Sequence, residues 1–328
     1  MRVLVTGSSG HLGEALFRTL QSRGIEVIGL DLKPSPYTTH LGSITDKDFV
    51  EQCVQGVDVI YHTATLHKPH VATHSKSAFV DTNIQGTLHL LEAALSKNVS
   101  AFIYTSTTST FGDALRPDLE SPAAWVTEDL RPIPRNIYGV TKLAAEDFCE
   151  LFHRKHGLHC LILRTSRFFP EEDDDRSRRE DFDDANLKLN ELLYRRVDLE
   201  DVVSAHLLAS ERAERIGFGR YIISATSPFS KEDARTLRTD LPAVLEKIYP
   251  DYPMIYQNKG WKMLEGIDRI YDSSAATRDL SWSPKYTFSY GLSCLRSAQP
   301  ARSKLADVVG SKGYHDVSFG EGPYPVLD

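Results

Sequence analysis

The chain has 328 residues, of which 41% are apolar and 25% charged, and its formal net charge is −7 at pH 7. This composition is ordinary for a globular protein of one or two domains, and the negative charge gives no electrostatic reason to bind nucleic acid or an anionic membrane. No apolar run approaches the ~20 residues of a membrane span, and the chain begins with a strand pattern rather than a signal peptide. We therefore expect a cytoplasmic protein whose four cysteines are reduced.

The first thirty-one residues have the order strand, glycine-rich turn, helix, strand and acid. Glycines let the backbone approach a pyrophosphate, and the start of a helix offers free N–H groups and a positive dipole end. Asp31 ends the second strand, where its carboxylate would accept ribose hydroxyls and repel the 2′-phosphate of NADP. The motif predicts an NAD site, which we expect to include Gly7, Ser9, Gly10, His11, Leu12 and Gly13.

Strand and helix patterns alternate through residue 224. The further strand patterns are 57–65, 101–106, 160–164 and 221–224, and the further helical patterns are 81–95 and 138–156. Such alternation is typical of an α/β fold with a doubly wound parallel sheet, the Rossmann arrangement, in which ligands bind at the carboxyl ends of the strands.

The pattern also predicts how the chain divides. We expect an NAD-binding Rossmann domain at 1–165, completed by about 190–225. The segments 166–189 and 226–300 are expected to form a smaller substrate-binding lobe, because their elements are shorter and less periodic. Residues 301–328 read as an irregular C-terminal tail.

Two polar motifs are candidates for chemistry. Tyr138 and Lys142 open the long helix, and a spacing of four puts the phenol and the ammonium on one helix face. A nearby ammonium and a nicotinamide cation would lower the phenol pKa from its usual ~10, so that the phenol could take a proton while a hydride leaves the same carbon. The second motif is a run of hydroxyl residues at 105–110, of which one or two could bind the substrate oxygen. Taken alone, the first could be a chance pair and the second a set of simple Ser/Thr turns.

Together the motifs resemble the extended short-chain dehydrogenase/reductase family, the group of NAD-dependent sugar epimerases and dehydratases. The residues that carry the resemblance are Thr6-Gly-x-x-Gly-x-x-Gly13, Asp31, His62-x-Ala64, Asn83, the Thr/Ser run before Phe111-Gly112, and Tyr138-x-x-x-Lys142. The resemblance covers about residues 1–165 and resumes at 196–206 and 280–284. It implies NAD as cofactor, a sugar-like small-molecule substrate, and a homodimer formed by the helices at 81–95 and 138–156.

The resemblance also implies a role for each matching residue. Tyr138 is the expected acid or base, Lys142 lowers its pKa and binds the nicotinamide ribose, and Thr107 is the catalytic hydroxyl, with Ser106 as second choice. Further cofactor contacts are expected from Ser43, Ile44, Thr63, Ala64, Thr65, Asn83 and Thr105. Ser43 stands where many relatives carry an Asp at the adenine end, and Ile44 is expected to pack on the base.

The segment after the strand at 160–164 departs from the nucleotide-sugar pattern. Family epimerases usually read Leu-Arg-x-Phe-Asn-x-x-Gly there, whereas this chain reads Leu163-Arg-Thr-Ser-Arg-Phe-Phe-Pro170. The segment is more similar to the uronate dehydrogenases of the same family, which oxidise a free sugar acid to its lactone. A substrate anion would then meet Arg167 or Arg176, with pairing of Arg167 to the acids at 171–175 as the equal alternative. The expected substrate contacts are Thr107, Thr108, His67, Ser166, Arg167 and Arg176.

Three histidines, His67, His70 and His74, follow the strand at 57–65. No acids or cysteines flank them and the family's chemistry needs no metal, so we expect no metal site and interpret them as substrate contacts or a solvated loop.

Three functions remain open from the sequence. The first is an NAD-dependent oxidoreductase that transfers a hydride at a hydroxyl-bearing carbon of a sugar or sugar acid. The second is a nucleotide-sugar epimerase that uses tightly bound NAD, and the third is a non-catalytic regulator that senses NAD. The presence of both Tyr138 and Lys142 favours an enzyme over a regulator.

Overall fold

A parallel sheet forms the centre of the fold in the computed structural model, which describes residues 1–116, 118, 120–315, 317, 319 and 322–325. Within those residues the sheet has seven strands in the order β3-β2-β1-β4-β5-β7-β8. The strands are β1 (Arg2–Thr6), β2 (Glu26–Asp31), β3 (His40–Leu41), β4 (Val59–His62), β5 (Ala101–Thr107), β7 (Cys160–Thr165) and β8 (Phe218–Ile223), and β6 (Ala124–Val126) pairs with β9 (Arg269–Tyr271) in a separate sheet. The strand order reverses between β1 and β4, which is where doubly wound folds bind ligands.

Helices cover both faces of the large sheet, because its strands are apolar on both sides. One face is packed by α1 (His11–Ser22), α8 (Leu199–Ile216), α11 (Ser274–Leu280) and α13 (Lys304–Val309). The other face is packed by α2 (Lys47–Cys53), α4 (Gly86–Ser96) and α5 (Ile137–His156). The predicted doubly wound α/β fold is confirmed.

The helix predicted at 81–95 is interrupted. A short helix, α3 (Lys76–Phe79), runs into a π-helical turn at Val80–Gln85 before α4 begins. A π turn adds a residue to the helical repeat and is frequent at functional sites. Here it contains Asn83, which is 2% exposed.

A second apolar core lies outside the large sheet. It is formed by α7 (Asp184–Glu191), α9 (Leu241–Ile248), α10 (Tyr252–Lys259) and α12 (Phe288–Arg296), and α6 (Arg176–Asp181) lies beside it. These elements come from the segments predicted to form the substrate-binding lobe. The small β6–β9 sheet adds residues 124–126 to that region, which the prediction had placed in the NAD-binding domain. With that addition, the division into domains stays a prediction.

Asp201 joins the lobe to the sheet. Its carboxylate accepts the backbone N–H groups of Lys285 and Tyr286 at 2.8 and 2.9 Å. Trp282, which is fully buried, donates its indole N–H to the Asp201 carbonyl at 3.0 Å and lies equally close to the Ser204 hydroxyl. The Trp-x-Pro motif that the sequence shares with the resembling family is therefore a structural anchor for α8.

None of the helices among the described residues combines the length and apolarity that crossing a membrane requires.

The predicted homodimer can be tested on the exposed face of α5. Val140 and Leu151 are 49% and 38% exposed on the helix that the resemblance places in the dimer interface. We expect the wild-type chain to sediment at micromolar concentration near twice its 36.8 kDa, and the double variant Val140→Asp/Leu151→Asp near 36.8 kDa. The matched control is Met254→Asp on α10, which is 61% exposed and outside the predicted interface. A wild-type mass near that of one chain contradicts the dimer.

Candidate active site

Glycines bring α1 directly onto the end of β1. Gly7 has φ +71°, and a Cβ on it would lie 2.8 Å from the backbone nitrogen of Ala64. A Cβ on Gly13 would lie 1.9 Å from the carbonyl oxygen of Gly7. No larger side chain fits at either position, so these two glycines fix the helix start at the edge of the sheet.

The first turn of α1 fits the diphosphate of a dinucleotide. Its N-cap, Gly10, makes no side-chain capping bond. Within the described residues, no acceptor is assigned to the backbone N–H groups of His11, Leu12 and Gly13. Unpaired N–H groups at a helix N-terminus are donors for an anion, and Gly10 places no side chain in front of them.

Asp31 lies beside this turn. Its carboxylate accepts the backbone N–H of Ser9 and that of Lys33, each at 2.9 Å. The acid therefore organises the glycine loop and remains at the end of β2, where it would meet a ribose. Its negative charge disfavours a 2′-phosphate, which agrees with NAD rather than NADP.

At the expected adenine end, Ser43 is half-buried and its hydroxyl lies 2.7 Å from that of Thr45. Ile44 is 4% exposed, and a Cβ added to Gly86 would lie only 2.6 Å from Cδ1 of Ile44. The side chain of Ile44 belongs to the core between β2 and α4, and its expected packing on the adenine base stays a prediction.

The loop after β4 is held by hydrogen bonds to β1. The Thr6 hydroxyl accepts the backbone N–H groups of Thr63 and Ala64 at 3.2 and 3.1 Å, and the Thr63 hydroxyl donates to the Thr6 carbonyl at 2.7 Å. His62 lies beneath them, between the hydroxyls of Thr6 (2.8 Å) and Thr87 (2.9 Å). Burial, and then the charge of Lys142, hold the pKa of His62 well below its ordinary value, so it is a neutral structural residue.

Asn83 connects the same loop to α5. Its side-chain oxygen accepts the Thr65 hydroxyl and the Leu66 N–H, each at 2.9 Å. Its amide donates to the Leu66 carbonyl at 2.9 Å and to the Thr141 hydroxyl at 3.0 Å. Thr141 lies between Tyr138 and Lys142 in the sequence, so the π turn that carries Asn83 supports the helix turn with the candidate catalytic pair. The contacts of Asn83 within the protein thus give it a supporting role, and its expected cofactor contact stays a prediction.

Tyr138 lies at the start of α5 and is 8% exposed. Burial raises the pKa of its phenol to about 12, and a hydrogen bond with Thr107 opposes that shift. Thr107 ends β5 and also accepts the backbone N–H of Ser109 at 3.0 Å. The structure therefore brings the predicted phenol and the first-choice hydroxyl together at the carboxyl edge of the sheet.

Lys142 is buried one turn further along α5. Its Nζ donates to the Thr105 carbonyl at 2.7 Å and lies 4.0 Å from the centre of the Tyr104 ring. Burial lowers the pKa of this amine to about 7, while the Glu146 carboxylate raises it. The Thr105 hydroxyl is engaged elsewhere, 2.8 Å from Nε2 of His206. Thr105 therefore positions Lys142 through its backbone.

Ser106 does not face the site. Its hydroxyl donates to Oε1 of Glu146 at 2.5 Å, and Glu146 is paired with Arg164, whose Nη2 lies 2.6 Å from Oε2. All three side chains are buried. The Ser106 hydroxyl is therefore engaged by a buried ion pair, which favours Thr107, and the catalytic role of either hydroxyl stays a prediction.

Of the remaining candidates, Ser166 and Thr108 lie near the same edge. Ser166 follows β7 and is 3% exposed, and its hydroxyl is buried without a hydrogen-bond partner in the described part of the chain. A buried unpaired hydroxyl is costly, so a substrate or cofactor oxygen is a reasonable partner for it. Thr108 begins a 3₁₀ turn and is 7% exposed.

The two arginines do not present free charge to a substrate. Nη1 of Arg167 lies 2.8 Å from Oδ2 of Asp173 and 3.4 Å from Oδ1 of Asp174. Arg176, on α6, has a side chain that is 72% exposed, and its Nε lies 2.7 Å from Glu180. The structure thus shows Arg167 paired with the acidic run, and a substrate contact of Arg167 or Arg176 stays a prediction.

Glu171, in the same acidic run, collects hydrogen bonds from both ends of the chain. Nε2 of His11 and the Ser311 hydroxyl lie 2.8 and 2.7 Å from its Oε1. The Tyr314 hydroxyl donates to its Oε2 at 3.0 Å. Burial raises the pKa of Glu171, but the bonds from His11 and Ser311 outweigh it and lower the pKa to about 2, so the carboxylate is charged at neutral pH.

The histidines after β4 pack against the tail rather than forming a solvated loop. The ring of His67 lies 5.0 Å from that of Tyr314 and 5.5 Å from that of Phe169. Nε2 of His70 lies 3.1 Å from the Tyr314 carbonyl. Burial lowers the pKa of His70 to about 4, and it holds that of His67 well below the ordinary value. No group of three or more His, Cys, Asp or Glu among the described residues has an arrangement that could hold a metal ion.

Sequence reasoning missed two sets of residues in the site. Glu146 lies two turns after Tyr138 on the same helix, so the spacing that singled out Lys142 could have identified it. No local pattern marks the contacts of Glu171, because its partners are 160 residues earlier and 140 or more residues later.

The sequence is similar to those of known proteins. The chain matches the model of the NAD dependent epimerase/dehydratase family over residues 3–223. Among curated proteins, it is 30% identical over 185 residues to an uncharacterized UDP-glucose epimerase of Bacillus subtilis, covering 50% of this chain and 55% of that protein. It is 29% identical over 175 residues to L-arabinose 1-dehydrogenase (NAD(P)(+)) of Haloferax volcanii, covering 50% and 65%. The matched part thus spans little more than half the length of these relatives.

The fold also matches solved structures. UDP-glucuronic acid 4-epimerase from Bacillus cereus, in complex with UDP-glucuronic acid and NAD, aligns over 91% of this chain and all of its own chain. The TM-score is 0.61 and the identity 23%, a likeness that shows the fold. The family match covers well over half of the chain and confirms both the resemblance and the cofactor. This chain belongs to the NAD dependent epimerase/dehydratase family, and NAD is its cofactor.

Proposed function

We propose that this protein transfers a hydride between NAD and a hydroxyl-bearing carbon of a sugar-like substrate, with Tyr138 as the proton acceptor and donor. The observation that carries the proposal is the contact of the buried Tyr138 phenol with Thr107 at the carboxyl end of β5. That position adjoins the strand-order reversal at which the glycine turn offers its N–H groups. Phenol, hydroxyl and dinucleotide turn thus share one edge of the sheet.

Each residue of the pair has a separate task. The Thr107 hydroxyl binds the reacting oxygen of the substrate and orients it toward Tyr138. Tyr138 removes the hydroxyl proton as the C–H bond breaks, and returns it in the reverse direction. Bound NAD⁺ supplies the hydride acceptor and a positive ring charge.

Lys142 assists by its charge. Burial sets the phenol pKa at about 12, so an ionised Tyr138 at neutral pH requires positive charge nearby. The amine is held by the Thr105 carbonyl one helical turn from the phenol, with further N–H groups available for a ribose. Glu146 behind it favours the protonated amine. Along one face of α5, Glu146 thus favours the charged form of Lys142, and Lys142 in turn favours the ionised form of Tyr138.

The substrate class rests on the relatives and on the arginines. Arg167 was the residue that favoured a free sugar acid, and its charge is satisfied by Asp173 and Asp174. An anionic substrate is therefore no longer needed to explain it. The relatives include an uncharacterized UDP-glucose epimerase and an L-arabinose 1-dehydrogenase, and the proton and hydride transfers proposed here would serve either reaction. We favour a sugar that is oxidised and reduced again within one turnover, and net oxidation is the second candidate.

Replacing Tyr138 with Phe tests the proton transfer. The ring and its packing are kept while the hydroxyl is lost, so we expect turnover to fall by about 10²–10⁴-fold. NAD binding, measured by titration calorimetry, should stay within a factor of three of wild type. Tyr290→Phe, on α12 of the lobe, is the control and should leave turnover unchanged. A Tyr138→Phe protein with wild-type turnover refutes the role.

The two hydroxyls next to each other on β5 can be separated by mutation. Thr107→Val removes the hydroxyl that contacts Tyr138, and we expect turnover to fall by about 10²-fold. Ser106→Ala removes a hydrogen bond to the buried Glu146, so we expect the free energy of unfolding to fall by about 1–3 kcal/mol and the melting temperature to fall with it. Its turnover should stay within a few fold of wild type. Melting by circular dichroism and steady-state rates distinguish the two. The reverse pattern would return the catalytic role to Ser106.

A substrate panel tests the reaction type. The enzyme is mixed with NAD⁺ and free sugars, uronates or UDP-sugars, and the NADH absorbance and sugar products are followed together. We expect an isomeric or rearranged sugar without net NADH. Stoichiometric NADH with a free sugar instead identifies a dehydrogenase and rejects the redox-neutral version.

A further inference from the structure

The segment Ser311–His315, here called the strap, crosses the edge of the sheet where the cofactor binds. At one end, the N–H groups of Lys312 and Gly313 donate to Glu171 at 3.1 and 3.3 Å, next to His11 of the glycine turn. At the other end, Nε2 of His315 lies 3.1 Å from the Pro69 carbonyl. The strap therefore bridges the start of α1, the loop after β7 and the histidine loop after β4.

The strap leaves the diphosphate donors alone. Its contacts with α1 are made to side chains, namely those of His11 and Glu14. None of its described atoms is hydrogen-bonded to the backbone N–H groups of the first turn. The strap therefore leaves these N–H donors available to a diphosphate. It could cover a bound dinucleotide, and it does not take the dinucleotide's place.

The strap also balances the charge of the site. Glu14 is 4% exposed in the first turn of α1, where its carboxylate would repel a diphosphate. Lys312 forms an ion pair with Glu14, and Arg18 lies 2.7 Å from the same carboxylate. Glu171 accepts hydrogen bonds from Ser311, Lys312 and Tyr314 of the strap in addition to its contact with His11 of α1. The strap thus adds partners to two carboxylates beside the anion site, each of which also has a partner outside the strap.

Aromatic packing closes the space above these contacts. The Tyr314 ring lies 5.0 Å from His67, 5.9 Å from Phe169 and 6.2 Å from His11. His67 lies in the loop after β4, Phe169 in the segment after β7, and His11 at the start of α1. The Tyr314 ring thus contacts three separate segments at the carboxyl edge of the sheet.

We propose that the strap retains NAD between turnovers, so that one cofactor serves many catalytic cycles. The inference rests on the proposed function in that a reaction that returns its hydride within one turnover leaves NAD⁺ ready for the next. A net dehydrogenase must release NADH every time, and a strap of this kind would limit its rate. A strap that slows NAD release is therefore compatible with the redox-neutral reaction proposed above.

The exchange rate of bound cofactor tests the strap. Full-length protein is loaded with isotopically labelled NAD⁺, chased with excess unlabelled NAD⁺, and the labelled fraction is followed over time. We expect Lys312→Met and Glu171→Gln to release the label at least tenfold faster than wild type. Lys304→Met is the matched control, because Lys304 is an exposed lysine on α13 outside the strap, and its rate should equal that of wild type. Equal rates for all four proteins overturn the proposal.

A measurement on the wild-type protein guards against misfolded variants. Trypsin can cleave after Lys312 only when the strap leaves its site, so we expect saturating NAD⁺ to slow that cleavage at least tenfold. Cleavage at the same rate with and without NAD⁺ contradicts the strap. Neither measurement involves turnover, so loss of the catalytic role of Tyr138 would leave both results unchanged, and the two proposals fail separately.

Discussion

The close approach of α1 to β1 is the constraint on which the site depends. With the Cβ position of Gly13 only 1.9 Å from the Gly7 carbonyl, the helix starts immediately at the end of the strand. Its uncapped N–H groups therefore lie at the carboxyl edge of the sheet, beside the loops that follow β2 and β4. Asp31 and Thr6 then hold those loops through backbone N–H groups. The close contact between Gly7 and Gly13 thus places the N–H donors of α1 beside the loops that surround them.

The other half of the site consists of three side chains of α5 that lie at increasing depth from the cleft. Tyr138 meets the cleft, Lys142 lies a turn deeper against Thr105, and Glu146 is fully buried with Arg164. A buried amine is held at a lowered pKa, and a buried carboxylate behind it moves that pKa back up. The protonation of Lys142, one turn from the phenol, is therefore set by buried groups of the core. Asn83 fixes this helix turn to the neighbouring loop through Thr141.

The sequence predicted the parts of this structure that follow local rules. Periodicity and the glycine motif predicted the doubly wound sheet, and the i, i+4 spacing predicted the Tyr138 and Lys142 pair. What it missed arises from contacts between distant segments. Ile44 packs in the core between β2 and α4, the Ser106 hydroxyl donates to Glu146, and Arg167 pairs with Asp173. Each of these side chains has the right type and position, and only its partner in space decides what it does.

The position of the strap in the chain sets the order in which the site is completed during synthesis. His11 and Lys312 are 301 residues apart, so the glycine turn and the sheet leave the ribosome long before the segment that lies across them. A nascent chain therefore offers NAD an open cleft. In the proposed closure, the strap is therefore the last part of the site to be synthesised.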